Sequence, residues 1–518
     1  MPKAFFHRLE VHQAIQNIAG WPELTLYVGA GAAVDRTGLT WAKLIDALLS
    51  SIVPQAPLRA ALLAGYDPMR AASVTCDLFQ AHYGTSWRQA LHERLRQLLY
   101  NPRELMSGRL LESVCRLALA FAARERSVCI ITSNFDVFLT ETFNTWRTLE
   151  HPGSPNPKIF LVQDDETVAV GEALSKPGVT ILYLHGQISR EGDVTAQPVI
   201  SERDYHQRTP SATSALTAVL RGRHLLVVGS SLMDPPLVSA LHQTVLSPET
   251  VTEDDTLKGV GPGRRAALLP LQGSEWDRAS RSQVAALHNL TTNRLHQFGL
   301  DPIFPDFFFQ VGQVLDEIRT NLICTAAETY TDYTCSYRYG NRLNTWWNAW
   351  LSKTKADESH QREHHELLRE ACLEIRRIVG VPRSESLKLE VWLRWFPERY
   401  RRLCLWASSV GTWPDVHSMR QDKVTGDSDY RSVRIFCFGS PMFLQAGSHD
   451  DTRWRTYLGM PISHGADSRG DFLVGVITLA STRGPETSSV VESNLDKLSG
   501  ALPLMQVYGR RVIVDPSR

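Results

Sequence analysis

Between Leu24 and Leu269 one pattern recurs: a short apolar run, a few small or polar residues, then a longer stretch with helical spacing. The runs "LTLYV" (24–28), "SVCII" (127–131), "TILYL" (180–184), "HLLVV" (224–228) and "RAALL" (265–269) predict strands. Strands that alternate with helices predict a Rossmann-like α/β fold, a mainly parallel sheet wrapped by helices. Residues 42–126 are mostly helical in pattern, as in "WRQALHERLRQLLY", and are too long for a simple crossover, so they form a helical insertion. The polar stretches 162–179 and 247–264 carry Gly and Pro and read as loops. The segment "LHQFGLDPIFPDFFFQVGQVLDEIRTNL" predicts a short strand and a helix that close this half.

The texture changes after residue 320. A polar, aromatic connector, "CTAAETYTDYTCSYRYG", leads to a helix with Leu343, Trp346, Trp347 and Trp350 on one face, expected to pack on a neighbouring helix. The charged helix "HQREHHELLREACLEIRRIVG" follows, with His364 and His365 read as part of a solvated face. In "LKLEVWLRWF" (387–396) apolar Leu387, Leu389, Val391, Leu393 and Trp395 alternate with polar positions, apart from Trp392, the sign of a half-buried strand. Further strands fit "RLCLWAS", "RIFCFG", "TYLGMPIS" and "FLVGVITLAS", before a final helix. The expected division is a first domain over 1–320, a linker over 321–340 and an α+β domain with an antiparallel sheet over 341–518.

Composition adds limits. A chain of 518 residues is too long for one core. Its formal net charge of +0 gives no general reason to expect a nucleic-acid partner or an acidic membrane surface. The N-terminal segment interleaves charges with apolar residues, and no run is long enough to span a bilayer, so the cytoplasm is the expected compartment. The eight cysteines are scattered without a Cys-x-x-Cys pair, which argues against both a zinc site and a disulfide scaffold.

Four polar motifs follow directly on candidate strands: Gly29-Ala30-Gly31, Thr132-Ser133-Asn134-Phe135-Asp136, His185-Gly186 and Gly229-Ser230-Ser231. If the strands are parallel, all four emerge at one edge of the sheet, where open α/β folds bind ligands. A glycine turn there lets backbone N–H groups approach a diphosphate. Val34 stands where a dinucleotide fingerprint has its third glycine, and no Gly-Lys-Ser/Thr follows, so neither a hydride-transfer site nor an ATP-binding P-loop is indicated. Each motif also has a plain structural reading. The glycines suit tight packing, Asn134 and Asp136 suit caps of a helix beginning near Val137, and the Gly-Ser-Ser segment suits an ordinary cap.

Taken together, "GAGAAVDRTGL", "TSNFD", "HG" and "VGSSLMDP" resemble the sirtuin-like fold over roughly residues 20–320. The segment "PVISERDY" and the form "GSSLMDPPL" look closer to sirtuin-like domains of bacterial anti-phage defence, which hydrolyse NAD, than to protein deacylases. The resemblance implies that Gly29, Ala30 and Gly31 cradle the NAD diphosphate, with Ala33, Thr132, Ser133 and Phe135 also lining the NAD site. It implies that Asn134 contacts the nicotinamide ribose and the attacking water, and that Asp136 orients the carboxamide. His185 is then a general base, and Gly229, Ser230 and Ser231 meet the adenosine side. NAD is thus expected as a substrate to be cut, with no cofactor.

The sequence departs from the family in places. Ala33 replaces the usual Ser, Thr40 the usual Pro, and the loop from Gly31 to Gly38 is one residue longer. The four-cysteine zinc module that deacylases carry after the catalytic histidine is missing, so no zinc is expected. Residues 341–518 resemble a GAF domain, through "YLGMPIS", "FLVGVITLAS" and helices at both ends of the sheet. Three functions stay open: a regulated NAD glycohydrolase of anti-phage defence, a catalytically silent nucleotide sensor, and a protein deacylase. The expected partners are NAD, further copies of the chain in a homo-oligomer, and an unidentified activating ligand or protein at the C-terminal domain.

Overall fold

The computed structural model describes residues 9–100, 108–162, 167–192, 197–245, 263–270, 281–305, 307–324, 348–349, 352, 359–394, 402–411, 420–424, 428, 430–446, 453–464 and 472–513. The expected tryptophan-bearing face, Trp395, residues 325–340 of the linker and most of the 247–264 loop lie outside them. The chain divides into two compact units. One comprises Ala14–Leu269 with Arg281–Phe304, and the other is chiefly Pro305–Arg518.

The first unit is built on a seven-stranded sheet: β1 (Leu24–Val28), β2 (Ser127–Thr132), β3 (Lys158–Leu161), β4 (Gly178–Tyr183), β5 (Leu225–Val228), β6 (Arg265–Leu268) and β7 (Asp301–Ile303). Its order is β3-β4-β2-β1-β5-β6-β7, and every neighbouring pair is parallel. All five residues of β1 and all four of β5 are buried, as central strands covered on both faces require. That double burial is why these strands read as unbroken apolar runs.

β3 carries no such signal. It is a four-residue edge strand with Ile159 44% exposed, so its "KIFL" lacks the pattern of a buried strand. The stretch 162–179, expected as loop, contains the helix Thr167–Leu174, whose Val170 and Leu174 join the apolar layer on the sheet. Its spacing was hidden by Gly171 and the flanking acids. The helical insertion is present as Trp41–Leu49, Ala56–Gly65, Pro68–Tyr83, Trp87–Leu99 and Arg109–Ala122. Four of these helices share one apolar cluster, built from residues such as Leu48, Leu63, Phe79 and Leu95.

The second unit holds a six-stranded antiparallel sheet: β8 (Leu387–Arg394), β9 (Arg402–Ser408), β10 (Gln421–Lys423), β11 (Met442–Gln445), β12 (Thr456–His464) and β13 (Phe472–Ser481). Its order is β10-β9-β8-β13-β12-β11. Helices Ser359–Val379 and Ala501–Ile513 cover one face, where Leu368, Ile375, Met505 and Val512 meet Leu389, Val391 and Ile477. The other face packs Trp392, Leu403 and Val476 against Phe436, Phe307 and Phe309. Helix Phe309–Cys324 thus begins within this unit's core, although the sequence pattern assigned it to the close of the first domain.

Two expectations fail here. "RIFCFG" is not a strand; Arg431–Phe438 is a helix, ended by Gly439 in the left-handed region at φ +67°. Val433, Phe436 and Cys437 are spaced for one helical face, and so short an apolar run fits either period. His364 and His365 are not solvated either. His364 Nδ1 accepts a hydrogen bond from Trp406 Nε1 at 2.7 Å, and His365 Nδ1 lies 2.6 Å from the Ser408 carbonyl. Both tie the helix Ser359–Val379 to β9.

Candidate active site

The strand registers bring the motifs together. Val28 of β1 pairs with Thr132 of β2 on one side and Val228 of β5 on the other, and Thr132 pairs with Tyr183 of β4. Four adjacent strands therefore end level, and their loops leave the same carboxyl edge side by side. The strand order reverses between β1 and β5, since the chain places β2, β3 and β4 all on one side of β1 and then restarts on the other side with β5. Such a reversal opens the crevice in which α/β sheets bind ligands.

Across that crevice the two glycine loops touch backbone to backbone. Gly29 N–H donates to the Val228 carbonyl at 2.9 Å and Gly31 N–H to the Gly229 carbonyl at 2.8 Å. A Cβ on Gly29 would lie 2.6 Å from the Gly229 oxygen, and one on Gly31 2.7 Å from it. These glycines are therefore needed for loop-on-loop packing, and their two N–H groups are already engaged by the protein. Ala32 N–H is likewise engaged, by the Gly29 carbonyl at 3.0 Å. Ala30 is exposed at the tip of the turn, and Ala33 is buried beneath it. Thr40 starts the next helix, because its side chain caps Trp41–Leu49 through Lys43 N–H.

The loop after β2 divides its residues between support and chemistry. Thr132 Oγ1 donates to the Val28 carbonyl and accepts from Asn134 N–H at 3.0 Å, which fixes the turn. The Phe135 side chain packs with Ile188, Ile200 and the helical insertion, so it anchors the loop in the core. Ser133 is half-buried, and its N–H donates to the Val28 carbonyl at 3.3 Å. Asp136 Oδ1 accepts from Phe138 N–H at 3.1 Å, the first N–H of the helix Phe138–Glu150, from the position before its N-cap Val137. Asn134 makes no such bond. Its Oδ1 is buried with no hydrogen-bond partner, an arrangement that ordinary folding energetics disfavours.

His185 lies two residues past Tyr183, as Asn134 lies two past Thr132. The ring is 3% exposed, and its Nε2 is 2.9 Å from Asp234 Oδ1. The Tyr205 ring packs edge-on at 5.1 Å. His185 Nδ1 is buried and, like Asn134 Oδ1, has no partner. The second carboxylate oxygen, Asp234 Oδ2, accepts from the Tyr27 hydroxyl at 2.6 Å. Burial and the Asp234 carboxylate together push the Tyr27 phenol well above its usual range, so it stays protonated and donates.

Asp234 and Tyr27 were not among the expected site residues. Tyr27 sits inside a strand and read as core. Asp234 had a visible signal in "MDPP": Asp before a helix is ordinarily an N-cap, but Pro235 and Pro236 have no N–H to cap. The loop reaches Asp234 through two left-handed residues, Gly229 at φ +63° and Leu232 at φ +57°. A leucine in that region is strained, and it persists here because its side chain is buried in the sheet's apolar layer. Ser230 Oγ accepts from Leu232 N–H at 3.1 Å and steadies the same turn, while Ser231 is exposed.

Burial raises the Asp136 carboxyl to about 6; the Phe138 N–H and then the Arg36 guanidinium pull it back only in part. A folded-state value above the ordinary 3.8 means that the charged form weakens the fold at neutral pH, and that this penalty fades as pH falls through 6. Asp136→Asn keeps the acceptor for Phe138 N–H and removes the charge. The variant is expected to be more stable than the natural protein at pH 7.5, by at most about 3 kcal/mol, with the gap closing towards pH 4.5. Urea unfolding at the two pH values measures it. A gap that does not change with pH would show that Asp136 ionises normally.

Residues 128–251 match the sequence profile of the SIR2-like domain. The matched stretch runs from β2 past the helix Pro235–Val245 and takes in Asn134, Asp136, His185 and Asp234, while the Gly29–Gly31 turn precedes it. The match supports a sirtuin-like domain and an NAD-related function, consistent with NAD-dependent enzymatic activity. No curated protein matches the chain. Among the described residues, no helix is long and apolar enough to cross a membrane.

Proposed function

We propose that the chain is a regulated NAD glycohydrolase, which cleaves NAD with water to nicotinamide, ADP-ribose and a proton. The observation that carries this reading is the pair of unpartnered buried atoms, Asn134 Oδ1 and His185 Nδ1, on adjacent loops at the carboxyl edge. One is an acceptor that can hold a water or a ribose hydroxyl, and the other is a lone pair that can take a proton. The bond between nicotinamide and C1′ of the ribose breaks with its electron pair going to the pyridine nitrogen, which neutralises the cationic ring. Water oxygen bonds to C1′, and the water proton passes to His185. Because the leaving group departs neutral, no acid is needed, and positioning plus one base suffice.

Asp136 would orient the nicotinamide amide, and the exposed turn around Ala30 would lie against the diphosphate. No zinc is part of the proposed chemistry. The SIR2-like match and the two segments "PVISERDY" and "GSSLMDPPL" support a role in anti-phage defence, and an NADase of that kind must be held off until needed. The second unit is proposed as a GAF-like sensing or assembly module that sets this state, in a homo-oligomer. Its helix-flanked antiparallel sheet supports that reading.

The test is incubation of the full-length protein with NAD, alone and with extract of phage-infected cells, with nicotinamide release followed by chromatography. Stoichiometry of one nicotinamide per ADP-ribose is expected. Tight NAD binding without release under both conditions would replace this reading with a nucleotide sensor. Release that depends on an acylated peptide would replace it with a deacylase.

A further inference from the structure

We propose that Asp234, held in turn by Tyr27, is a positioning residue that fixes His185 as the Nε2–H tautomer and so makes Nδ1 the proton-accepting atom. The chemistry rests on the NAD-cleaving reading; the geometry does not. An ionised carboxylate only accepts hydrogen bonds, so the 2.9 Å contact between Asp234 Oδ1 and His185 Nε2 requires the proton to sit on Nε2. The other ring nitrogen then carries the lone pair, and that nitrogen is the buried, unpartnered Nδ1.

Three features suggest that Asp234 is placed for this task and not for capping. Its carbonyl accepts from Val238 N–H at 3.0 Å, which puts it at the N-cap of the helix Pro235–Val245. A cap carboxylate would normally turn to the N2 or N3 N–H, but Pro235 and Pro236 offer none, which leaves Leu237 as the first residue with an N–H to cap. Both oxygens are instead used sideways, one by His185 and one by the Tyr27 hydroxyl at 2.6 Å. Tyr27 itself is 0% exposed in the central strand β1, paired on both sides, so the phenol is a fixed anchor. The groups facing His185 are thus Asp234, the edge of the Tyr205 ring and, beyond the carboxylate, Tyr27.

During cleavage Asp234 takes no proton. Water loses its proton to Nδ1 as its oxygen bonds to C1′, and the imidazolium that forms keeps its Nε2–H on the carboxylate, which stabilises the new charge. Without the carboxylate the ring is free to adopt the other tautomer, which presents N–H in place of a lone pair to the water.

The experiment is 15N NMR of the full-length protein labelled at histidine, with the His185 signals identified by their loss in His185→Ala. The natural protein is expected to show a pyrrole-type Nε2 and a pyridine-type Nδ1, and Asp234→Asn to lose that preference. In NAD cleavage, Asp234→Asn is expected to lower kcat about a hundredfold or more, with KM changed less than threefold. Asp234→Glu, which keeps the acceptor, is expected to keep the tautomer and recover at least a tenth of the lost kcat. Tyr27→Phe serves as a second handle, with kcat expected to fall roughly three- to tenfold as one hydrogen bond is removed.

A folded Asp234→Asn with the Nε2–H tautomer and kcat intact would overturn the proposal, as would a natural protein whose His185 carries its proton on Nδ1, whether or not the variant folds; an unchanged rate in Tyr27→Phe would overturn the part given to Tyr27. A natural protein that releases no nicotinamide, but whose tautomer preference vanishes in Asp234→Asn, would overturn the glycohydrolase reading and uphold the positioning role.

Discussion

His185→Ala and Asn134→Ala each abolish nicotinamide release in the expected result, by a factor of ~10² to 10⁴ apiece, while the fold survives. His185→Ala removes a lone pair that a carboxylate holds ready at the crevice, and Asn134→Ala removes the buried acceptor on the adjacent loop. Neither change takes away an apolar contact on which the sheet depends. The core here is made by Ile131, Leu182, Leu184 and Val227, and none of these is altered. Losing Asn134 even relieves an unsatisfied buried oxygen, so that variant is expected to melt no lower than the natural protein. His185→Ala leaves Asp234 with Tyr27 as its remaining partner and is expected to melt a few degrees lower. Nicotinamide release and thermal melting are measured on the same preparations. Full activity in a well-folded variant would remove that residue from the mechanism, and loss of activity with loss of fold would reduce it to a structural role.

The second large effect is on stability, and it concerns the crossing of the two glycine loops. Gly229→Ala is expected to weaken the first unit by roughly 3–5 kcal/mol, the sum of left-handed strain and backbone overlap. Gly229 has φ +63°, and its new Cβ would lie 2.6 Å from Ala32 nitrogen. The atoms it meets are backbone, tied to the ends of β1 and β5, so they cannot swing aside as a long side chain would. Gly29→Ala is expected to behave similarly, because its Cβ meets the Gly229 oxygen at 2.6 Å and Ser230 Cα at 2.7 Å. Gly38→Ala is the control. It has φ +68° but nothing within 4 Å, so it isolates the backbone strain, about 1 kcal/mol. Urea unfolding of the three variants separates the effects. Gly29→Ala with unchanged stability but weakened NAD binding would mean that the glycine serves the ligand and not the loop crossing.

The turn Gly29-Ala30-Gly31 was legible as a close approach of backbone to something, and a diphosphate was the natural inference from glycines at a strand end. The structure shows that part of that something is the loop after β5, about 200 residues away in the chain, a partner no local pattern can reveal. Asp136 was legible as either a cap or a ligand contact. Its Oδ1 holds the first N–H of the helix from the residue before the cap, and its burial pushes the carboxyl up to about 6.

The sequence by itself determined the parallel sheet, the strands β1, β2, β4, β5 and β6 to within two residues at each end, and the convergence of four motifs on one edge. It could do so because strands buried on both faces must be continuous apolar runs, and because parallel strands necessarily end on the same side. It also determined the long helices and most of the antiparallel strands of the second unit, where the period of burial is written directly in the residues. It did not determine β3, which as an edge strand needs no apolar pattern, or the helix Arg431–Phe438, whose run is too short to fix a period. Above all, only the tertiary structure decided what His185 is bonded to. Tyr27, His185 and Asp234 come from three strands' worth of separate sequence, and their hydrogen bonds exist because β1 lies between β2 and β5 and β4 lies beyond β2. Strand order is set by long-range packing and loop crossings, and no window along the chain contains it.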